Sequence, residues 1–136
     1  MQKCKYLDDL GLKIEEYGTN FMSDDDPRSE NWIKEREEYG FDNRETWNLD
    51  RIFIEWIYTR VKMYKEYSIV DTSFYKVLYK EEEISQGEAI DKILELSKEI
   101  LQSDSYSWDK DINDMIYNNS REICDLWKEI LPLMWW

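Results

Sequence analysis

The chain has 136 residues, 31 Asp and Glu against 18 Lys and Arg, and no histidine, giving a formal net charge of −13. A field of that sign repels nucleic acid and anionic membrane and attracts basic protein surfaces or metal ions. A hydrophobic fraction of 42% with 15% aromatics excludes a disordered chain.

The charge is uneven. Residues 1–40 carry eleven acids and six bases, 41–66 five of each, and 67–136 fifteen and seven. A neutral, aromatic segment between two acidic ones has the pattern of a core element in a negative shell. At this length one domain spanning 1–136 is expected, large enough to bury a core. Cys4 and Cys124 are too few for a disulfide framework and are expected as reduced thiols. With no basic-then-apolar leader and no apolar run of membrane-spanning length, the expectation is a soluble cytoplasmic protein.

Four glycines and two prolines favour long helices. Leu7, Leu10, Ile14 and Tyr17 have helical spacing over 7–17, ending near Gly18. Asp24 to Asp26 read as a loop, with Asp26 as cap and Pro27 opening a helix that runs to about Glu38, Gly40 lying just past its end. Asp42 and Glu45 have capping-box spacing behind Phe41, a staple residue. From there Leu49, Ile52, Phe53, Trp56, Ile57, Val61 and Tyr64 predict a central helix over 43–66, the most buried element.

Residues 69–80 fit either a short strand or a short helix. Ser85 and Glu88 form a second capping box, opening a helix with Ile90, Ile93, Leu94, Ile100 and Leu101 inward. A last helix is expected from about Ser105–Ser107 to Pro132, with Trp108, Ile112, Ile116, Ile123, Leu126 and Ile130 keeping its period. The fold class expected is all-α: a single-domain bundle of about five helices around the long central one. Trp47, Trp56, Trp108 and Trp127 lie on apolar stripes and are expected in the core, while Leu133 to Trp136 are expected to fold back on the domain.

Chemistry is sparse. There is no P-loop, dinucleotide turn, zinc pattern or nucleophile elbow, so no catalytic residue, metal ligand or cofactor is assigned. Asp109-x-Asp111-x-Asn113 begins like a calcium loop, but Asp114 replaces its glycine and Ser120 its closing glutamate. Two lines of acids stand out. Glu88, Asp91, Glu95 and Glu99 fall on one face of their helix, and Asp111, Asp114, Glu122, Asp125 and Glu129 on one face of the last. Carboxylates a helical turn apart imitate a nucleic-acid backbone sparsely. The plain alternative is a solvated face compensated by Lys92, Lys98, Arg121 and Lys128.

Glu35-x-x-Glu38 and Glu88-x-x-Asp91 resemble the magnesium-binding pairs of MazG-type nucleotide pyrophosphohydrolases, though their separation exceeds that family's. Gly40 to Asp50 (Gly-Phe-Asp-Asn-Arg-Glu-Thr-Trp-Asn-Leu-Asp) with the helix that follows and, more loosely, the closing Trp-Lys-Glu-Ile-Leu-Pro-Leu-Met-Trp-Trp resemble a small uncharacterised protein family of bacteriophages and prophages of low-GC bacteria. That resemblance implies a phage accessory protein in the host cytoplasm and carries no activity.

The expected function is therefore non-enzymatic. The acidic residues Glu88, Asp91, Glu95, Glu99, Asp111, Asp114, Glu122, Asp125 and Glu129 would bind the basic nucleic-acid channel of a host defence or nucleic-acid enzyme, as an anti-CRISPR-type mimic would. Neither nucleic acid nor membrane is a direct partner in this reading. The alternatives are a nucleotide-binding or magnesium-dependent pyrophosphohydrolase-like protein and a structural or replication accessory protein.

Overall fold

A computed structural model describes residues 3–18, 25–104 and 107–135. Asp24, Ser105, Tyr106 and Trp136, which figure in the expectations above, lie outside the described residues. The chain is mostly helical. In order it runs α1 (Lys5–Asp9), α2 (Ser29–Tyr39), α3 (Arg44–Trp47), α4 (Leu49–Tyr67), strands β1 (Lys76–Tyr79) and β2 (Glu82–Ser85), α5 (Gln86–Gln102) and α6 (Lys110–Ile130). Short 3-10 turns occupy Ile14–Glu16 and Leu131–Leu133.

The fold is therefore not purely all-α. β1 and β2 pair antiparallel with Tyr79 opposite Glu82, so Lys80 and Glu81 make a two-residue turn. Both have positive φ, 48° and 66°, as a turn matched to the strand twist requires. The β-branched and aromatic part of 69–80 thus resolves as strand only from Lys76, and the preceding stretch is turn.

Helix ends follow local rules in three places. Gly40 closes α2 in the left-handed region at φ 83°, its N–H donating to the Arg36 carbonyl. Ser85 caps α5: its Oγ accepts from Glu88 N at 3.1 Å, and the Glu88 carboxylate accepts from Ser85 N at 3.2 Å. Asp109 caps α6, accepting from the N–H groups of Asp111 and Ile112 at 2.8 and 3.2 Å. That cap accounts for the calcium-loop look-alike.

Several expectations for the N-terminal half are corrected, the first being that Asp26 caps a helix opened by Pro27: α2 begins at Ser29 with Arg28 at its N-cap and no side-chain cap bond. The helix over 7–17 stops at Asp9, because Gly11 turns the chain at φ 85°. The helix over 43–66 is two helices. Asn48 leaves helical geometry (φ −126°, ψ 55°) and its carbonyl accepts the first bond of α4 from Ile52 N, an N-cap position that asparagine favours. Asp42 forms no capping box there; its carboxylate is engaged otherwise, as described below.

The described chain divides into two compact units, residues 1–56 and 57–136. In the first, Tyr6, Leu7, Tyr17, Trp32 and Ile54 are buried. In the second, α5 packs along α6, the hairpin packs on both, and the 3-10 turn returns against the end of α6. Its core is Ile57, Tyr58 and Val61 of α4, Val77, the apolar face of α5 from Ala89 to Leu101, and Ile123, Leu126 and Ile130.

Tryptophan placement departs from the hydropathy pattern. Trp32 is only 1% exposed, whereas Trp47 and Trp56 are 42% and 44% exposed and Trp108 is 98% exposed. Trp108 precedes the first turn of α6, so the period that placed it inward does not reach it. The C-terminal segment does turn back on its own unit: Tyr64 Oη donates to the Trp135 carbonyl at 2.9 Å and Gln86 Nε2 to the Leu133 carbonyl at 3.3 Å.

Candidate functional site

The two acidic lines sit in residues 57–136, on the helices that build that unit's core. At about 100° per residue, the α5 line lies opposite that helix's buried face. The α6 line lies only about a quarter turn from its buried face. Position relative to the core therefore separates the two.

On α5 each acid has a partner inside the chain. Glu88 is committed to the capping box. Asp91 meets Lys65 of α4 at 2.5 Å, and Glu95 meets Lys92 at 3.4 Å. Glu99 accepts from Asn119 Nδ2 of α6 at 3.2 Å, and the same amide approaches the Leu96 carbonyl. The Asp91 and Glu99 contacts join α5 to α4 and α6, the other two stay at or within α5, and Asp91, Glu95 and Glu99 are still exposed.

On α6 the pattern is more open. Asp114 pairs with Lys110 across one exposed turn at 2.7 Å. Asp111, Asp125 and Glu129 are exposed, and among the described residues their carboxylates have no partner. Glu122 differs. It is half-buried, Lys80 Nζ reaches one of its oxygens at 2.7 Å, and Tyr79 Oη donates to the other at 3.2 Å. Burial opposes these donors, but Lys80 first, then Tyr79, hold the Glu122 carboxyl below its ordinary range.

Among the described residues no group of three His, Cys, Asp or Glu side chains could hold a metal ion. Of the carboxylates that resemble magnesium-binding pairs, Glu35 accepts from Asn43 N and Nδ2 at 2.8 and 3.3 Å, while Glu88 and Asp91 have the partners given above. Glu35, Glu88 and Asp91 are thus already engaged within the chain. Among the described residues no helix is long and apolar enough to cross a membrane, and both thiols are free.

A dense polar cluster lies among the described residues of 1–56, where spacing alone did not point. Asp42 and Arg44 are both buried and joined through two side-chain bonds, Nε to Oδ1 at 2.9 Å and Nη2 to Oδ2 at 2.8 Å. Arg36 adds a third at 2.8 Å. The Arg44 guanidinium stacks 4.3 Å above the Trp32 ring, and Trp32 Nε1 donates to Asn43 Oδ1 at 3.0 Å. Trp47 meets Trp32 edge-on at 6.2 Å, with Arg28 over both rings. Arg28 in turn grips Asp26 with two bonds and brings that carboxyl down to about 2. Residues 40–47 are thus held by charge-assisted bonds to α2, with Phe41 and Trp47 left exposed.

A second buried carboxylate, Glu55, accepts the Gly18 N–H on both oxygens at 2.9 and 3.1 Å and meets Arg51 at 3.4 Å. Burial pushes it above the usual carboxylate range in spite of those donors. Tyr17, which donates to Asp8 and to the Cys4 carbonyl, is pushed up to about 12, chiefly by burial.

No protein family, curated protein or solved structure matches this chain.

Proposed function

We propose that this protein acts by binding, and that its exposed acidic α6 face docks into the basic nucleic-acid channel of a host defence or nucleic-acid enzyme. The observation carrying the reading is that Asp111, Asp125 and Glu129 stand exposed on one helix face and, among the described residues, their carboxylates have no partner, within a segment of fifteen acids and seven bases. Asp114 joins them, since an exposed i,i+4 pair with Lys110 is weak and readily exchanged. The acids of α5 have a supporting part here, because their partners lie within the chain.

The mechanism is electrostatic. Approach is steered by the long-range field, and the carboxylates then pair with Lys and Arg side chains that otherwise grip phosphates. Screening shortens that field to about 10 Å at 0.1 M salt, so association should fall steeply as salt rises. The resemblance of residues 40–66 to a phage and prophage family supports the setting: an accessory protein in the bacterial cytoplasm whose partner belongs to the host.

The test is affinity capture from a low-GC bacterial lysate at low and high salt, identifying retained proteins and small molecules by mass spectrometry. A nucleic-acid enzyme retained at low salt and released at high salt supports the reading. Retention of nucleotides, or of phage replication or structural proteins, would replace it with the corresponding alternative.

A further inference from the structure

The hairpin tip makes a contact that packing alone does not require. Lys80 and Glu81 both occupy the left-handed region, where glycine or asparagine is ordinarily found, although neither residue favours it. The side chains of Tyr79 and Lys80 converge on a single residue of α6, Glu122, one donor to each carboxylate oxygen. The Lys80 ammonium also lies 5.3 Å from the Tyr79 ring centroid, so the tip presents a lysine backed by an aromatic ring. Glu122 is the middle member of the line Asp111, Asp114, Glu122, Asp125 and Glu129. It sits beside the buried face, where the hairpin packs.

We propose that the β1–β2 tip is an autoinhibitory self-ligand, Lys80 occupying on α6 the place that a lysine of a basic partner takes on binding. The proposal rests on the reading of α6 as the docking face and adds its regulation. Lys80 is itself exposed and carries the charge of the ligand class inferred, so a partner lysine exchanges with it like for like. In the closed state Glu122 is satisfied and the line is divided, with Asp111 and Asp114 on one side and Asp125 and Glu129 on the other. Lifting the tip frees Glu122 and joins the line into one surface. A partner must displace the tip to gain the full face. Apparent affinity is then the intrinsic affinity reduced by the open fraction, so a tip closed about nine-tenths of the time weakens binding about tenfold.

The probe is an octalysine peptide, titrated into the full chain at low salt. Lys80→Gln should tighten its binding by about tenfold if the tip is closed to that degree. Lys76→Gln, which removes the same charge from the exposed base of the same hairpin, should change it only slightly. In a Glu122→Gln background, Lys80→Gln should give no more than Lys76→Gln. Amide exchange of the parent chain should show Val77 and Ile84 losing protection when octalysine binds, with Ile93 and Leu101 of α5 unchanged as the folding control. Equal effects of the two lysine changes, or hairpin protection indifferent to bound peptide, would overturn the self-ligand while leaving the docking face intact. Absence of salt-sensitive octalysine binding in every variant would instead bring down the docking face, and the self-ligand with it.

Discussion

Asp42 and Arg44, two positions apart in the chain, form a buried ion pair whose guanidinium lies over the Trp32 ring. The pair fastens the 40–47 segment to α2, and Arg36 braces it from one side.

Removing one partner of this pair should be severe. Asp42→Ala leaves Arg44 buried without its main counter-charge, and we expect a loss of about 3–5 kcal/mol rather than the ~1 kcal/mol of a lost helix cap. Burial raises the Asp42 carboxyl, but the Arg44 bonds and the Arg44 and Arg36 charges outweigh it and hold it below its ordinary 3.8. The stability it contributes is therefore present above pH 3.8 and is lost as pH falls through the lowered folded value. Urea unfolding of the parent and Asp42→Asn between pH 2 and 7 checks both points. Their difference should be constant near neutrality and shrink in acid.

Glu55 should show the opposite slope. Its folded value lies above the ordinary 4.5, so the folded state holds the proton longer than the unfolded one. Its effect on stability is most favourable below pH 4.5 and is lost as pH rises through the folded value. Glu55→Gln retains an acceptor for Gly18 N–H and cannot ionise. Its stability relative to the parent should thus improve as pH rises from 4 to 8, and a relative stability independent of pH would show that Glu55 titrates normally.

Any side chain at position 18 requires the half-buried Ile52 to shift. A Cβ there would lie 2.5 Å from Ile52 Cδ1 and 3.3 Å from Glu55 Oε2. Gly18→Ala should destabilise by about 1–3 kcal/mol through overpacking. Ile52→Val removes the nearest atom, so the double variant should recover part of that loss. Thermal unfolding of the four proteins in the cycle measures the coupling, and simple additivity would place the strain elsewhere.

Replacing Asp111, Asp114, Asp125 and Glu129 by their amides should leave folding intact, because all four are exposed. Association with the captured partner should slow and its dependence on salt should flatten. Surface plasmon resonance at several salt concentrations gives both quantities, and rates unaffected by the amides would remove α6 as the docking face.

What was legible in the sequence is what a few neighbouring residues decide. Ser85 with Glu88, Gly40 at φ 83°, and the inward period of Ile90, Ile93, Ile123 and Leu126 depend on contacts three or four residues apart or on one backbone angle. Spacing also placed the acidic lines on helix faces, since a helix repeats regularly wherever it lies. Tertiary structure alone decided which parts of those faces stay open. Lys80 and Glu122 are 42 positions apart, and Lys65 and Asp91 are 26 apart, so no local rule pairs them. The same holds for tryptophan: Trp32 is buried because Arg44 and Trp47 close over it, while Trp108 lies exposed ahead of the first turn of α6. Hydropathy records a side chain's preference for leaving water, and only the packing of distant elements supplies a place for it to go.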